Sequence, residues 1–461
     1  MASESEVFIW NRQMELLSGT ELRQLQFERL KSLLERLRTR VPFYQARLAE
    51  ITPGKVKSLD DLKHLPFTTK SDLRDNYPFG LFAVGVEEAV RFQASSGTKG
   101  KPTVGAYTQK DLLSWAEVCA RSLAAAGVRP GDLIHNSYHY GLATGGLGIH
   151  YGAELLGASV VPASSGKTQL QATLLRDFGP RILSCTPSYA LNIAYTLEEL
   201  GINCDSLKLE IGIFGAEPWT EEMRKQLESL LRIRALDIYG LTEVIGPGVS
   251  MECSLSQRDH PALHVWEDHF LPEVINPETL EVLDEGEQGE LVFTTLTREA
   301  TPVLRYRTGD ICQLTREPCL CGRTMVRMSR VKARYDDMLI VRGVNIYPSE
   351  VERVLLQIEE LSPHYQLVLD RMKALDSLAV EVELSEHIVK RWGTFSDDHA
   401  QIKVLALQVT QRLKDSLGIS AEVVLLKPKS LARSEGKAKR VIDKRARENK
   451  ERDNGKTNRA L

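Results

Sequence analysis

Between Thr20 and Leu48 the chain repeats one arrangement. Leu22, Leu25, Phe27, Leu30, Leu33, Leu34 and Leu37 recur every three or four positions, with Arg, Glu and Lys between them. Apolar residues at that spacing form one stripe of a helix. A second helix is predicted over Lys110–Ala126. The pattern then alternates. Short apolar runs at Leu133–Ile134, Ser159–Pro162, Ile182–Ser184 and Leu209–Phe214 predict strands. Helical stretches at Leu147–Leu156, Thr168–Phe178, Ser188–Leu200 and Thr220–Leu231 lie among them. Strands alternating with helices predict a parallel α/β sheet.

After about Gly246 turn residues and short alternating segments take over, as in Phe270–Ile275 and Gly289–Thr295, and predict a β-rich portion. Past Asp337 come a strand at Met338–Gly343, a helix over Ser349–Leu361, a strand near Leu378–Leu384 and a helix over His399–Leu417. The fold class expected is therefore α/β. A large N-terminal domain (1–335) holds parallel α/β sheets and the β-rich portion, followed by a small α+β domain (336–443). Residues 444–461 are charged and nearly free of large apolar side chains, which predicts a frayed tail.

Composition narrows the class of protein rather than its function. At about 150 residues per domain, 461 residues predict two unequal domains or three structural units. The formal net charge is -3, which argues against nucleic-acid binding through bulk positive charge. No run of about 18 apolar residues is present, so no membrane span is expected. Met1–Trp10 lacks the pattern of a secretory signal. The seven cysteines are odd in number and unevenly spaced, as reduced thiols in the cytoplasm would be.

Five polar segments carry candidate chemistry. Ser95-Ser96-Gly97-Thr98-Lys99-Gly100-Lys101-Pro102-Thr103 combines a free backbone with hydroxyls and ammonium groups, which suits a polyphosphate. It is not a Walker A loop, because Ser95 and Pro102 stand where that motif needs Gly and Ser or Thr. In Tyr239-Gly240-Leu241-Thr242-Glu243 a ring can stack on a base, a hydroxyl can meet a phosphate and a carboxylate can hold Mg²⁺. Arg305-Tyr306-Arg307-Thr308-Gly309-Asp310 ends on a carboxylate able to accept two bonds from a ribose diol. Arg334-Tyr335-Asp336-Asp337 and Arg433-Ser434-Glu435-Gly436-Lys437 complete the series. Taken singly, each also reads as a solvated turn.

In this order the five segments resemble the core motifs of the adenylate-forming superfamily of acyl-CoA synthetases, adenylation domains and luciferases. The resemblance is closer to the phenylacetate–CoA ligase family. It rests on Gly215-Ala216-Glu217-Pro218-Trp219, Thr186-Pro187-Ser188-Tyr189, Tyr140-Gly141-Leu142, Trp266-Glu267-Asp268-His269-Phe270 and Leu361-Ser362-Pro363-His364-Tyr365. The resemblance implies an ATP-dependent acid–CoA ligase acting on an aromatic or arylacetic acid through an acyl-adenylate. An adenylating enzyme that loads a carrier protein is the alternative. It also implies roles. Ser95, Ser96, Gly97, Thr98, Lys99, Gly100 and Lys101 would hold the β- and γ-phosphates. Gly215, Ala216 and Glu217 would line the adenine site, with Tyr239 and Gly240 against the ring. Thr242 would contact the α-phosphate and Glu243 would bind Mg²⁺. Asp310 would hold the ribose, supported by Arg334. Lys437 would bridge carboxylate and α-phosphate, and Asp336 would be the hinge of a mobile small domain. A homodimer is expected as well.

Two departures bear on the acid. Lys99 stands where the family usually has Thr. The acyl-pocket segment usually reads Tyr-Gly-Tyr-Gly-Leu-Phe, but here it is Tyr138-His139-Tyr140-Gly141-Leu142-Ala143, followed by Gly145. If Ala143 faces the pocket, the acid is bulkier than phenylacetate or differently substituted; otherwise Ala143 serves packing. His139 reads either a polar ring substituent or solvent.

Cys319 and Cys321 lie in Cys-Leu-Cys-Gly-Arg, a turn that suits two thiolates on one metal, and Cys253, His260 and His264 lie upstream. Cys253, one of these histidines, Cys319 and Cys321 would make a four-coordinate structural Zn²⁺ site. His264 is favoured because its Leu263–Asp268 segment recurs in the family. Free surface thiols are the alternative.

Overall fold

The computed structural model describes residues 7–49, 51, 53–95, 101–256, 262–342, 344–372, 375–392, 395, 400–433 and 440–445. The chain separates into two compact units, one of residues 1–216 and 227–331, the other of 217–226 and 332–461.

The first unit opens on the amphipathic helix Gly19–Arg40. Ser18 caps it by accepting from the Glu21 amide, and the Glu21 carboxylate accepts from the Ser18 amide in return. Buried Leu30, Leu33, Leu34 and Leu37 form its inner stripe. The helix is shorter than its periodicity predicts. Pro42 forces Val41 into an extended conformation, and a separate short helix follows over Pro42–Arg47.

Its strands are β1 (Arg91–Ala94), β2 (Val104–Tyr107), β3 (Leu133–Asn136), β4 (Ser159–Val161), β5 (Ile182–Cys185), β6 (Ile211–Gly215), β7 (Arg234–Leu241), β8 (Gly246–Glu252), β9 (Ala262–Val265), β10 (Phe270–Ile275), β11 (Gly289–Thr295), β12 (Tyr306–Cys312), β13 (Leu314–Thr315) and β14 (Arg327–Ser329). One nine-stranded sheet runs β13-β14-β9-β8-β7-β6-β5-β3-β4. Its β7-β6-β5-β3-β4 half is parallel and its other half antiparallel. The parallel half is the predicted α/β sheet, with helices Gly145–Leu156, Thr168–Phe178 and Pro187–Glu199 among its strands. β10, β11 and β12 pair antiparallel in a second sheet, and β1 and β2 form a hairpin. The helix Gln109–Ala126 starts in a Thr108–Asp111 capping box and stops at Gly127. Its Trp115 ring nitrogen donates to the Pro247 carbonyl at 3.0 Å, which fixes it against β8.

The second unit has its own apolar core, from Val351 and Leu355 to Leu413 and Leu425. Here the predicted helix over 349–361 ends early. The helix is Pro348–Leu355, and Leu361–Met372 is a strand paired antiparallel with Leu375–Leu384. Tyr365, Leu367 and Leu369 are buried at every second position, the period of a strand. The helix Ala400–Leu417 buries Ile402, Leu405, Val409, Leu413 and Leu417. Among the described residues no helix is long and apolar enough to cross a membrane.

Candidate active site

The carboxyl ends of the parallel strands gather several of the motif residues, as expected where a ligand lies across an α/β sheet. β3 leads into Tyr138 and His139, β6 ends at Gly215 with Ala216 just past it, and β7 runs out through Tyr239 and Gly240. A Cβ on Gly215 would sit 2.0 Å from the Ile238 carbonyl oxygen of β7, and one on Gly240 would sit 2.0 Å from the Gly246 oxygen of β8. Only glycine allows these backbones to come so close. Ala216 takes the left-handed region, with φ 69°. That conformation is costly for alanine and turns the chain sharply at the strand end.

Tyr239 and Asp310 join the two sheets. The Tyr239 hydroxyl donates to Asp310 Oδ2 at 2.6 Å. Asp310 is buried near the end of the sequence motif that positions it. Its amide donates to Thr308 Oγ1 at 3.0 Å, and the Gly309 amide donates to Glu290 Oε1 at 3.1 Å. Arg307 holds Glu290 in turn through Nε at 3.0 Å. The arrangement leaves an aromatic ring and a carboxylate side by side, which suits a base and its ribose. Thr242 and Glu243 follow on the turn between β7 and β8, both largely buried, with Thr242 Oγ1 3.4 Å from Thr144 Oγ1.

The ends of the Gly-rich loop are pinned to each other. Ser95 N–H donates to the Thr103 carbonyl at 2.9 Å, and Thr103 N–H donates to Ser95 Oγ at 3.1 Å. Lys101 is exposed, its ammonium 5.5 Å from the centre of the Tyr77 ring. Ser96, Gly97, Thr98, Lys99, Gly100, His260 and Lys437 lie outside the described residues, as does the side chain of Asp336. Glu217 and Arg334 belong to the second unit, where Arg334 Nε lies 3.7 Å from Asp337 Oδ2.

In the acyl-pocket segment Tyr138 is buried, Tyr140 and Ala143 are half-buried and His139 is exposed. Gly145 opens the helix behind them. The Asn136 amide donates to Tyr140 Oη at 2.7 Å and to the Gly146 carbonyl at 2.9 Å, and His150 Nδ1 lies 3.1 Å from the same phenol oxygen. Burial pushes the Tyr140 phenol up to about 12. His139 Nδ1 is 3.3 Å from Ser165 Oγ.

The cysteine cluster assembles at the antiparallel end of the large sheet. The donor atoms of Cys253, His264, Cys319 and Cys321 all lie within 4.8 Å of one another. Cys253 Sγ is 3.6 Å from Cys319 Sγ, and Cys321 Sγ is 3.3 Å from His264 Nε2. β9 carries His264, held between Met251 of β8 and Arg327 of β14. Shared hydrogen bonds, first with Cys319, push the Cys253 thiol up, while the bond with Cys253 brings Cys319 and Cys321 down toward thiolates. Burial would lower His264, but its bonds to Cys319 and Cys321 raise it. So many soft donors packed together suit a cation of zinc's size and preference.

Sequence reasoning missed the groups that brace these sites. Arg298 lies behind Thr242 and Glu243, and Arg323 links the cysteine turn to Glu15. Arg298 sits in no pattern that announces its role, and Arg323, though it closes the Cys-Leu-Cys-Gly-Arg turn, carries no signal pointing to Glu15.

Two family models match the chain. The AMP-binding enzyme model covers residues 50–296 and the AMP-binding enzyme C-terminal domain model covers 343–445, which defines the class as AMP-binding enzymes. The phenylacetate-coenzyme A ligase of Thermus thermophilus is 52% identical over 95% of this chain and 100% of its own length. That of Escherichia coli is 51% identical over 94% and 97%. A crystal structure of 2-hydroxyisobutyryl-CoA ligase in the postadenylation state, in complex with 2-HIB-AMP, superposes with a TM-score of 0.87 at 27% identity, covering 99% of this chain and 96% of that one. The chain belongs to the phenylacetate–coenzyme A ligase family.

Proposed function

We propose that the protein is an ATP-dependent arylacetate–CoA ligase. In the first half-reaction a carboxylate oxygen of the acid attacks the α-phosphorus of ATP. The bond to the bridging oxygen breaks and pyrophosphate leaves with its electron pair. In the second the CoA sulfur attacks the acyl carbon, the carbon–oxygen bond to AMP breaks, and the thiol proton is lost to solvent or a base. The observation that carries the reading is the convergence of Ala216, Tyr239 and Asp310 around one strand edge. Relatives about half identical over nearly the whole chain, named as phenylacetate-coenzyme A ligases, support the same reaction class.

The roles follow the chemistry of each group. Tyr239 stacks on adenine against the Gly215–Ala216 backbone and Glu217. Asp310 accepts from the ribose hydroxyls while the Tyr239 phenol holds its other side, with Arg334 in support. The Ser95–Lys101 loop takes the β- and γ-phosphates. Thr242 donates to the α-phosphate, where charge grows in the transition state. Glu243 is the carboxylate suited to Mg²⁺, which when bound neutralises phosphate charge. Lys437 bridges the acid and α-phosphate during adenylation, and Asp336 is the hinge about which the small domain changes partners between half-reactions.

Tyr138, His139, Tyr140, Ala143 and Gly145 line the acid site, and Ala143 in place of a ring leaves room for a bulkier or ring-substituted acid. Cys253, His264, Cys319 and Cys321 hold one structural Zn²⁺. The donor set fits it, because four protein ligands close the coordination shell and leave no position for substrate. The enzyme works in the cytoplasm as a homodimer.

ATP–pyrophosphate exchange over a panel of aromatic acids, with thioester formation on CoA as the second readout, tests this reading. Acid-dependent exchange followed by a CoA thioester is expected. Exchange whose acyl product forms only on a carrier protein overturns the CoA assignment. The absence of exchange with every aromatic acid overturns the substrate class.

A further inference from the structure

Behind the turn that carries Thr242 and Glu243 lies one buried cation. Arg298, in the connection between β11 and β12, is 3% exposed. Its Nη1 donates to three successive carbonyls, those of Thr242 at 3.3 Å, Glu243 at 3.2 Å and Val244 at 2.5 Å. Its Nη2 donates to the Ala106 carbonyl of β2 at 3.4 Å. The guanidinium carbon lies over the Tyr107 ring, 4.8 Å from its centre. Tyr107 itself donates to the Ile245 carbonyl at 2.7 Å, so four successive carbonyls of the turn are held from one side.

The connection that brings Arg298 there is anchored too. Asp111, buried in the first turn of its helix, accepts from the amides of Glu299 at 2.7 Å and Ala300 at 2.9 Å. The space is fitted to the side chain. A Cβ on Gly105 would come within 2.8 Å of Arg298 Nη2.

Carbonyls gathered on one face of a turn form a small negative pole, like the last turn of a helix. A neutral side chain cannot cancel it, and a single amide has too few hydrogens for four acceptors. A planar guanidinium, charged at every relevant pH, can meet several at once. The bonds go to the backbone of Thr242 and Glu243. They use no side-chain atom of either residue. Arg298 also ties this turn to β2, the strand that leaves the Ser95–Thr103 loop. One cation therefore backs both segments assigned to the phosphates.

We propose that Arg298 is a positioning residue for adenylation, which fixes the Thr242 hydroxyl and Glu243 carboxylate for ATP and Mg²⁺ without touching either. The inference rests on the roles given above to Thr242 and Glu243. It predicts a larger loss in the first half-reaction, because Mg²⁺ and pyrophosphate take part only there, whereas the α-phosphate assigned to Thr242 persists in the adenylate. That difference separates positioning from mere packing, which would damage both steps alike.

The test compares Arg298→Gln, Arg298→Lys and Glu243→Gln in the full chain. ATP–pyrophosphate exchange is measured against ATP and Mg²⁺ concentration. Thioester formation is measured separately from preformed phenylacetyl-adenylate and CoA. Arg298→Gln is expected to lower exchange about 10–100-fold, the cost of a small misplacement in a site, and to raise the Mg²⁺ needed for half-maximal rate. Thioester formation should lose distinctly less of its rate. Arg298→Lys, which retains charge and three donors, should lose less of the exchange rate; it carries the test alone if the glutamine variant does not fold. Equal losses in both half-reactions overturn the proposal, as does unchanged exchange in a folded Arg298→Gln protein while Glu243→Gln is impaired. If Glu243→Gln leaves exchange and its Mg²⁺ dependence unchanged, the assignment of Glu243 fails and the proposal fails with it.

Discussion

Replacing Cys319 and Cys321 together by serine removes half of the proposed zinc ligands without touching a strand. The geometry sets what should follow. Zn–S bonds of about 2.3 Å and Zn–N bonds of about 2.0 Å in a tetrahedron put two sulfurs about 3.8 Å apart and a sulfur and nitrogen about 3.5 Å apart. The observed separations, 3.6 Å for Cys253–Cys319 and 3.3 Å for Cys321–His264, are within a few tenths of these edges. An ion fits with little rearrangement. Its loss should nevertheless be felt at a distance, because the turn after Cys321 holds the N-terminal segment. Arg323 Nε pairs with buried Glu15 at 2.6 Å, Arg323 Nη2 donates to the Phe8 carbonyl at 3.3 Å, and Thr324 Oγ1 donates to the Leu17 carbonyl at 2.7 Å.

If free zinc exceeds its dissociation constant about a thousandfold, binding stabilises the fold by about 4 kcal/mol. In a unit of this size that corresponds to about 5–10 °C in melting temperature. Plasma mass spectrometry on protein purified without chelator should find about one zinc per chain, as a single four-ligand site requires. The double serine variant should carry none, melt lower by that amount, and be cut by trypsin near Arg12 and Arg23 before the parent is. Strands β8, β9 and β14 should persist, since their pairing needs no metal. Metal-free parent protein with an unchanged melt after chelation would refute the reasoning, as would zinc retained by the double variant.

Three further outcomes can be checked. Asp268 is 1% exposed and pairs with Arg121 at 2.8 Å, so Asp268→Asn should cost about 3–5 kcal/mol by leaving the arginine half-neutralised. Burial would raise the Asp268 carboxyl, but His269 and Arg121 hold it at about 2. Its contribution is therefore complete above the ordinary carboxylate value and lost as pH falls from about 4 toward 2; thermal melts of parent and variant should converge across that window, and parallel curves would refute the assignment. Tyr239→Phe keeps the ring but removes the 2.6 Å bond to Asp310, and should raise KM for ATP about tenfold, as loss of a bond to a charged acceptor does; steady-state kinetics with ATP varied give the answer. Ala143→Phe should lower kcat/KM for bulky ring-substituted acids more than for phenylacetate, and an equal loss on all acids would place Ala143 outside the acid site.

The fold was legible where turn residues bounded a short apolar segment or a helical stripe ran undisturbed. Phe270–Ile275 and Gly289–Thr295 are strands over the expected residues, buried along nearly their whole length, and Thr168–Phe178 is a helix over its predicted span. Failures came where two signals met. The leucine stripe ran past Val41, but Pro42 has no amide to continue the helix and restrains its neighbour. The apolar run after Leu355 looked like more helix, while the alternation of Tyr365, Leu367 and Leu369 belonged to a strand. Strand order is a matter of distant pairing and left no local trace. The proposed zinc ligands show both cases. Cys-Leu-Cys-Gly is readable by itself, but the meeting of His264 with these cysteines depends on β9 lying between β8 and β14.

A deeper asymmetry separates the residues proposed to touch substrate from those that hold them. Tyr239, Thr242, Glu243 and Asp310 are recognisable because a base, a phosphate, a cation and a diol each demand a particular side chain, and the demand appears as a motif. Arg298 answers to backbone carbonyls instead. Any sequence at 242–244 offers the same three oxygens, so nothing in the partner's identity points back to the arginine. The same holds for Thr324, whose bonds go to the carbonyls of Glu15 and Leu17. Groups that brace a site through its backbone are therefore invisible in sequence, yet they fix the geometry on which the legible residues depend. Substitutions at such positions should impair one chemical step selectively, and the half-reactions of a ligase make that selectivity measurable.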